Sequence, residues 1–308
     1  MVNHQTLIEA IRPTTFVESE KLSKLLNADA TLVSETFQHT GSFKFRAAYN
    51  LALNVPNNEI LTASSGNFGQ ALAFACQLLN KKCTVVMPET SAKVKIEAVR
   101  SYGATVDLID TRFVGRAERV SQLAETMPDA YLASAYDDLL VIEGNSTLGD
   151  EIANYKTDFD LVIVPIGGGG LISGISQGLC RNGHGAQLIG AEPLLGNDAS
   201  RSLKAGKIIK NESEPQTLAD GARTVSVGEH NWKIIEKGVV DILEISEEKI
   251  AEGVRVLFSH ANLKVEPTGA LSTGAILEKR EMFAQKRIAC VVSGGNVDAA
   301  VYRQILAS

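Results

Sequence analysis

Residues 159–174 read FDLVIVPIGGGGLISG. An apolar run of strand character empties into four consecutive glycines, Gly167, Gly168, Gly169 and Gly170. A helical stretch, LISGISQGLCRN over 171–182, follows at once. A fully apolar strand that feeds straight into a helix is the building unit of a parallel sheet covered by helices. The same alternation recurs along the chain. KKCTVVMP (81–88), ATVDLID (104–110), AYLAS (130–134), AQLIGAEP (186–193) and RIACVVSGG (287–295) read as strands. SAKVKIEAVRSYG (91–103) and RAERVSQLAETM (116–127) read as the helices between them. The fold class is therefore α/β, with parallel sheets flanked by helices. Two lobes are expected: residues 55–138 form the smaller, inserted into a larger one built from 1–54 plus 139–308.

Bulk composition narrows the function. At 308 residues the chain exceeds one ordinary core but suits two lobes. With 44% hydrophobic and 21% charged residues it is globular, not disordered. A net charge of −6 argues against a nucleic-acid surface, which needs a basic stripe. No run of about 18 apolar residues predicts a membrane span, and MVNHQTLIEAIRP lacks a signal-peptide pattern. Four scattered cysteines without a CxxC pair point to a reduced, cytoplasmic protein. Cys76, Cys180 and Cys290 lie in apolar stretches and are expected in the core.

The glycine run can turn several backbone N–H groups onto one anion, and a helix start adds favourable partial charge. It is not a nucleotide fingerprint. Ile172 and Ser173 stand where the third glycine of G-x-G-x-x-G would be, and no Gly-Lys-Ser/Thr follows. Glu192 keeps a dinucleotide reading open, but a smaller phosphorylated cofactor suits the cup better. Three further stretches carry polar groups at strand ends or turns. FQHTGSFKFRAAY (37–49) sets Lys44 between Phe43 and Phe45, and such a setting lowers a lysine's pKa. LTASSGNFGQALAFA (61–75) places Ser64, Ser65, Gly66 and Asn67 between a strand and an alanine-rich helix. These residues can cap that helix, or present N–H, hydroxyl and amide groups to a ligand. CVVSGGNVD (290–298) ends a buried strand on Ser293, a neutral hydroxyl suited to a heteroaromatic nitrogen.

Taken in order, TGSFKFRAA, SSGNFGQAL, PIGGGGLISG, GAEP, ADG, EPTGA and SGGNVD resemble the fold-type II (tryptophan synthase β-like) pyridoxal-phosphate enzymes. The likeness is to their serine/threonine dehydratase and serine racemase branch, and it runs from about residue 37 to residue 298. The resemblance implies pyridoxal 5′-phosphate held by Lys44 as a Schiff base, with Lys44 later acting as base at Cα. Phe43 would pack near the ring, Asn67 would bind the ring hydroxyl, and Ser293 would face the pyridine nitrogen. Gly167, Gly168, Gly169 and Gly170 would hold the phosphate. Ser64, Ser65, Gly66 and Asn67 would receive the substrate carboxylate, and Ser65 would move a proton on the face opposite Lys44. Arg116 is a candidate second carboxylate partner. In the same branch AEPLLGND (191–198) matches a divalent-cation site made by Glu192, the Gly196 carbonyl and Asp198, and oxygen ligation suits Mg²⁺ or Ca²⁺. A homodimer is implied as well.

Three stretches depart from the family pattern. Phe68 replaces the usual histidine, EGNSTLG (143–149) replaces AGQGT, and RPTTF (12–16) replaces an Arg-Thr-Pro opening. They bear on the substrate more than on the chemistry. The implied activity is β-elimination of a 3-hydroxy amino acid such as serine, threonine or 3-hydroxyaspartate, giving a 2-oxo acid and ammonia. A racemase or a β-replacement synthase is the alternative on the same scaffold. The chain's end at residue 308 leads us to expect no appended regulatory domain.

Overall fold

The computed structural model describes residues 4–91 and 93–308. Among the described residues, ten strands lie in two sheets: β1 Thr15–Glu18, β2 Asp29–Ser34, β3 Glu59–Ala63, β4 Lys82–Pro88, β5 Thr105–Ile109, β6 Tyr131–Ala133, β7 Leu161–Pro165, β8 Gln187–Pro193, β9 Val239–Ile245 and β10 Arg287–Val292. The larger sheet has the order β1-β2-β10-β7-β8-β9 and the smaller β5-β4-β3-β6. β1 runs antiparallel to β2, and the other pairings among these strands are parallel. The chain is thus an α/β protein with two helix-flanked, mostly parallel sheets, as the alternating pattern predicts.

Burial follows the pattern. All five residues of β7 are buried, and β10 is buried except at its first residue, as expected of central strands covered on both faces. The two edge strands of the larger sheet, β1 and β9, carry no comparably clean signal. β1 is short and only half-buried, and β9 is an edge strand whose burial is interrupted.

The helix Lys44–Asn54 bridges the two sheets. Its residues Phe45, Ala48 and Leu51 share a core with Ile60, Leu72 and Val85 of the smaller unit. The turn that leads into it is fastened to the larger sheet at the end of β10. At the strand ends the polar turns converge: Ser64 follows β3, Ala135 lies just past β6, Gly167 just past β7, and Ser293 follows β10. Ligands of parallel sheets bind beyond these carboxyl ends.

Cys76, Cys83 and Cys290 are buried, but Cys180 is exposed. The helix Gly170–Arg181 buries Leu171, Ile172, Ile175 and Leu179. Position 180 lies about 100° around the axis from Leu179 and turns to solvent.

Candidate active site

Lys44 opens its helix from a sharply bent turn. Thr40 has φ +58° and Gly41 φ +76°. The Phe43 N–H donates to the Ser293 carbonyl at 3.0 Å, and the Gly295 N–H to the Gly41 carbonyl at 3.0 Å. Lys44 is therefore set beside a strand end rather than on an open helix face. Its Nζ donates to the Ala135 carbonyl at 2.6 Å. The ammonium lies 5.0 Å from the Phe43 ring centroid and 5.6 Å from that of Phe68. Loss of hydration lowers its pKa to about 8, and the Glu266 carboxylate opposes that shift.

The glycine cup is enforced sterically. A Cβ on Gly168 would stand 2.2 Å from Cδ2 of Tyr136, so the tyrosine ring lies flush against this backbone. Gly169 has φ +93°, a conformation that favours glycine. The Gly168 carbonyl is turned away and held by the Gly228 N–H at 3.0 Å and Asn231 Nδ2 at 2.8 Å. Asn145 Nδ2 holds the Gly170 carbonyl at 3.0 Å. The leading N–H groups of the helix Gly170–Arg181 have no intrahelical acceptor and form an anion-binding end.

Ser293 is 2% exposed, and its hydroxyl has no partner among the described residues. Burying such a group unpaired costs about 1–3 kcal/mol, a cost that a hydrogen-bonding ligand atom in the crevice would offset. Across the crevice, Asn67 begins the helix Asn67–Leu78. Its amide nitrogen donates to both oxygens of Glu266, at 2.9 and 3.1 Å, and its amide oxygen accepts from Asn296 at 2.9 Å. Ser64 Oγ accepts the Gly69 N–H at 3.1 Å and the Gly66 N–H at 3.4 Å. Its oxygen thus serves the helix start while its O–H proton is left to donate, and Ser65 lies half-buried at the bend of the turn.

Residues 7–294 match the family described as pyridoxal-phosphate dependent enzyme. The chain belongs to that family. It is 34% identical to an L-threo-3-hydroxyaspartate ammonia-lyase of Pseudomonas sp, over 95% of this chain and 92% of the relative. It is 33% identical to a serine racemase of Schizosaccharomyces pombe, over 95% and 91%. The crystal structure of a serine racemase from Dictyostelium discoideum superposes with a TM-score of 0.88 at 32% identity, covering 96% of each chain.

In this pyridoxal-phosphate dependent enzyme the other expected residues are engaged by partners of their own. Arg116 opens the helix Arg116–Thr126 and is ion-paired with Glu214. Glu192 and Asp198 form their own buried cluster at and beyond the end of β8. Glu192 accepts the Ser200 N–H at 2.6 Å and the Ala199 N–H at 3.2 Å. Asp198 accepts the Val227 N–H at 2.9 Å and Asn211 Nδ2 at 3.0 Å. Burial pushes Glu192 well above the usual carboxylate range and Asp198 up to about 7. Gly196 lies against the Pro215 ring. Among the described residues no group of three or more His, Cys, Asp or Glu side chains could hold a metal ion.

Of the three departures from the family pattern, Phe68 is the one that faces Lys44. Glu143 pairs with Arg181 at 3.7 Å, Asn145 braces the cup, and Thr14 hydrogen-bonds Glu35 at 2.8 Å. Sequence reasoning did not find Glu266, Asn296, Tyr136 or the Ala135 carbonyl. Glu266 sits in EPTGA, where a glutamate before proline reads as a turn opener. A backbone carbonyl leaves no side-chain signature at all.

Proposed function

We propose that this chain is a pyridoxal-phosphate ammonia-lyase of the serine/threonine dehydratase type, acting on a 3-hydroxy amino acid. The observation that carries the reading is Lys44: a desolvated amine fixed between an anion cup and an unpartnered buried hydroxyl. The residues fit the cofactor on three edges. Gly167, Gly168, Gly169 and Gly170 take its phosphate, Ser293 faces its ring nitrogen, and Asn67 reaches its ring hydroxyl. When bound, pyridoxal phosphate supplies the electron sink that makes an amino acid's Cα proton removable. Lys44 anchors it and then takes that proton at Nζ, which suits a group whose pKa is near 8. Phe43 and Phe68 keep water from Nζ. Ser293, being neutral, leaves the ring nitrogen unprotonated and favours prompt loss of the β-hydroxyl. The enamine product hydrolyses to a 2-oxo acid and ammonia.

The turn Ser64 to Asn67 receives the substrate carboxylate through backbone N–H groups and the Ser64 and Ser65 hydroxyls, since the Ser64 oxygen accepts at the helix start while its O–H proton is left to donate. Arg116 joins only by releasing Glu214. Ser65 protonating the face opposite Lys44 would give racemisation, a second reading favoured by the 33% identity to a serine racemase. The similarity to a hydroxyaspartate ammonia-lyase makes 3-hydroxyaspartate the first substrate to test, before threonine and serine.

Finer parts of the reading are a homodimer in the cytoplasm and a division into 1–54 plus 139–308 with 55–138 inserted. Mg²⁺ or Ca²⁺ at Glu192, the Gly196 carbonyl and Asp198 belongs here as well. It is supported by two buried carboxylates that, among the described residues, face no cationic side chain strong enough to offset their burial.

A panel of L- and D-3-hydroxy amino acids, scored for 2-oxo acid, ammonia and inverted enantiomer, tests the activity. Lys44→Ala is expected to lose at least about 10²- to 10⁴-fold in turnover with unchanged circular dichroism. Full activity in that variant, or a protein that neither carries nor takes up cofactor, would sink the proposal.

A further inference from the structure

None of the motifs above assigns a role to Glu266. It is 3% exposed and immediately precedes the turn Pro267–Ala270. Both its oxygens accept from the Asn67 amide nitrogen, at 2.9 and 3.1 Å. Its backbone N–H donates to the Gly294 carbonyl at 3.2 Å. Its Oε1 lies so close to Gly294, the residue after Ser293, that a Cβ there would stand 2.7 Å away. Asn296 completes the frame: its Nδ2 donates to the Asn67 amide oxygen at 2.9 Å and to the Thr40 carbonyl at 2.6 Å. The Asn67 amide is thus pinned in one orientation. Its oxygen faces Asn296 and one N–H faces Glu266, so a single N–H is left for the crevice.

We propose that Glu266 is a positioning residue of the catalytic site: through Asn67 it sets how the cofactor's ring oxygen is held. The inference rests on the cofactor reading above. The charged groups that face Glu266 are Lys44 at its helix start, Asp220 from the turn Asp220–Ala222, and Lys95 from the helix Lys93–Ser101. Lys95 and Asp220 are paired with each other at 2.9 Å. Of these groups, that leaves Lys44 as the cation without a carboxylate of its own. Burial raises the Glu266 carboxyl to about 7, with Asp220 adding to the rise and the Asn67 hydrogen bond opposing it. Protonation of Glu266 removes the charged acceptor from Asn67 and the counter-charge from Lys44 in one step.

The test is the visible absorbance of holoenzyme, followed from about pH 5.5 to about 8.5 around the two shifted groups. The wild-type band is expected to change with a midpoint near 7. Glu266→Gln, which keeps the shape, is expected to retain bound cofactor but to lose or displace that transition, and the acid limb of kcat is expected to change with it. If Glu266→Gln does not hold its fold, Glu266→Asp is expected to keep a transition at a displaced midpoint. A wild-type band flat across this range, or an unmoved midpoint in the variant, would overturn the inference. A protein with no cofactor band at any pH would instead refute the cofactor reading beneath it.

Discussion

Two residues beyond the lysine, Arg46 is wholly buried, and the cost of losing it can be worked from the structure. Its Nε donates to Glu35 at 2.7 Å and its Nη2 to the other Glu35 oxygen at 2.9 Å. Further bonds reach Glu151 at 2.6 Å, Thr147 at 3.0 Å and Thr14 at 2.7 Å. Glu35 is 0% exposed while Glu151 is 27% exposed, so Arg46→Met leaves one carboxylate stranded and lets the other turn to water. Breaking a buried pair in this way costs about 3–5 kcal/mol. An unfolding entropy of about 2.1 cal/mol/K per residue over 308 residues amounts to about 0.65 kcal/mol/K if the chain melts as a unit. The expected drop in melting temperature is then about 5–8 °C. A thermal melt of Arg46→Met measures it. Adding Glu35→Leu is expected to recover part of the loss, because an apolar replacement of both charges removes the desolvation cost. A single variant that melts within about 1 °C of wild type would refute the account of Arg46 as the tie between the N-terminal segment, β2 and the helix Leu139–Ala153.

Two further outcomes follow from the site. Gly168→Ala drives a methyl into the Tyr136 ring. Overpacking of about 1–3 kcal/mol corresponds to a loss of cofactor affinity of about 5- to 150-fold, read by titrating cofactor into apoprotein, and an unchanged dissociation constant would count against an enforced cup. If a cation sits at Glu192 and Asp198, protein stripped by chelator is expected to regain melting temperature when Mg²⁺ or Ca²⁺ is added at about 100 times its dissociation constant, a stabilisation of about 2.7 kcal/mol. Equal melting curves with and without the cation would remove that site.

Much of the frame was legible because the chain writes strand, turn and helix consecutively. β7 runs almost directly into the glycine cup, and β10 runs straight into Ser293. What stayed hidden depends on contacts between distant stretches. Glu266 meets Asn67 across 199 positions, and the spacing of either residue says nothing about the other. Tyr136 shapes the cup only because β6 ends where its ring can lie on Gly168. Arg116 likewise meets Glu214 across a long stretch of chain, a pairing that neither residue's neighbours announce.

The substitution at position 68 also acquires a physical meaning. The resemblance leads one to expect histidine there, and a protonated imidazole near Nζ would depress the lysine further by like-charge repulsion. Phe68 is 1% exposed and carries no proton to exchange. Its ring face, with that of Phe43, instead favours the ammonium by about 0.5–2 kcal/mol, while the same burial strips water from it. The two effects oppose, and desolvation dominates, because the lysine's pKa still falls to about 8. With no titrating ring at this position, Glu266 is the carboxylate that, among the described residues, answers the charge on Nζ. The protonation state of the lysine therefore turns on its burial, to which the Phe43 and Phe68 rings contribute, and on the charge of Glu266, which hydrogen-bonds Asn67 beside Phe68.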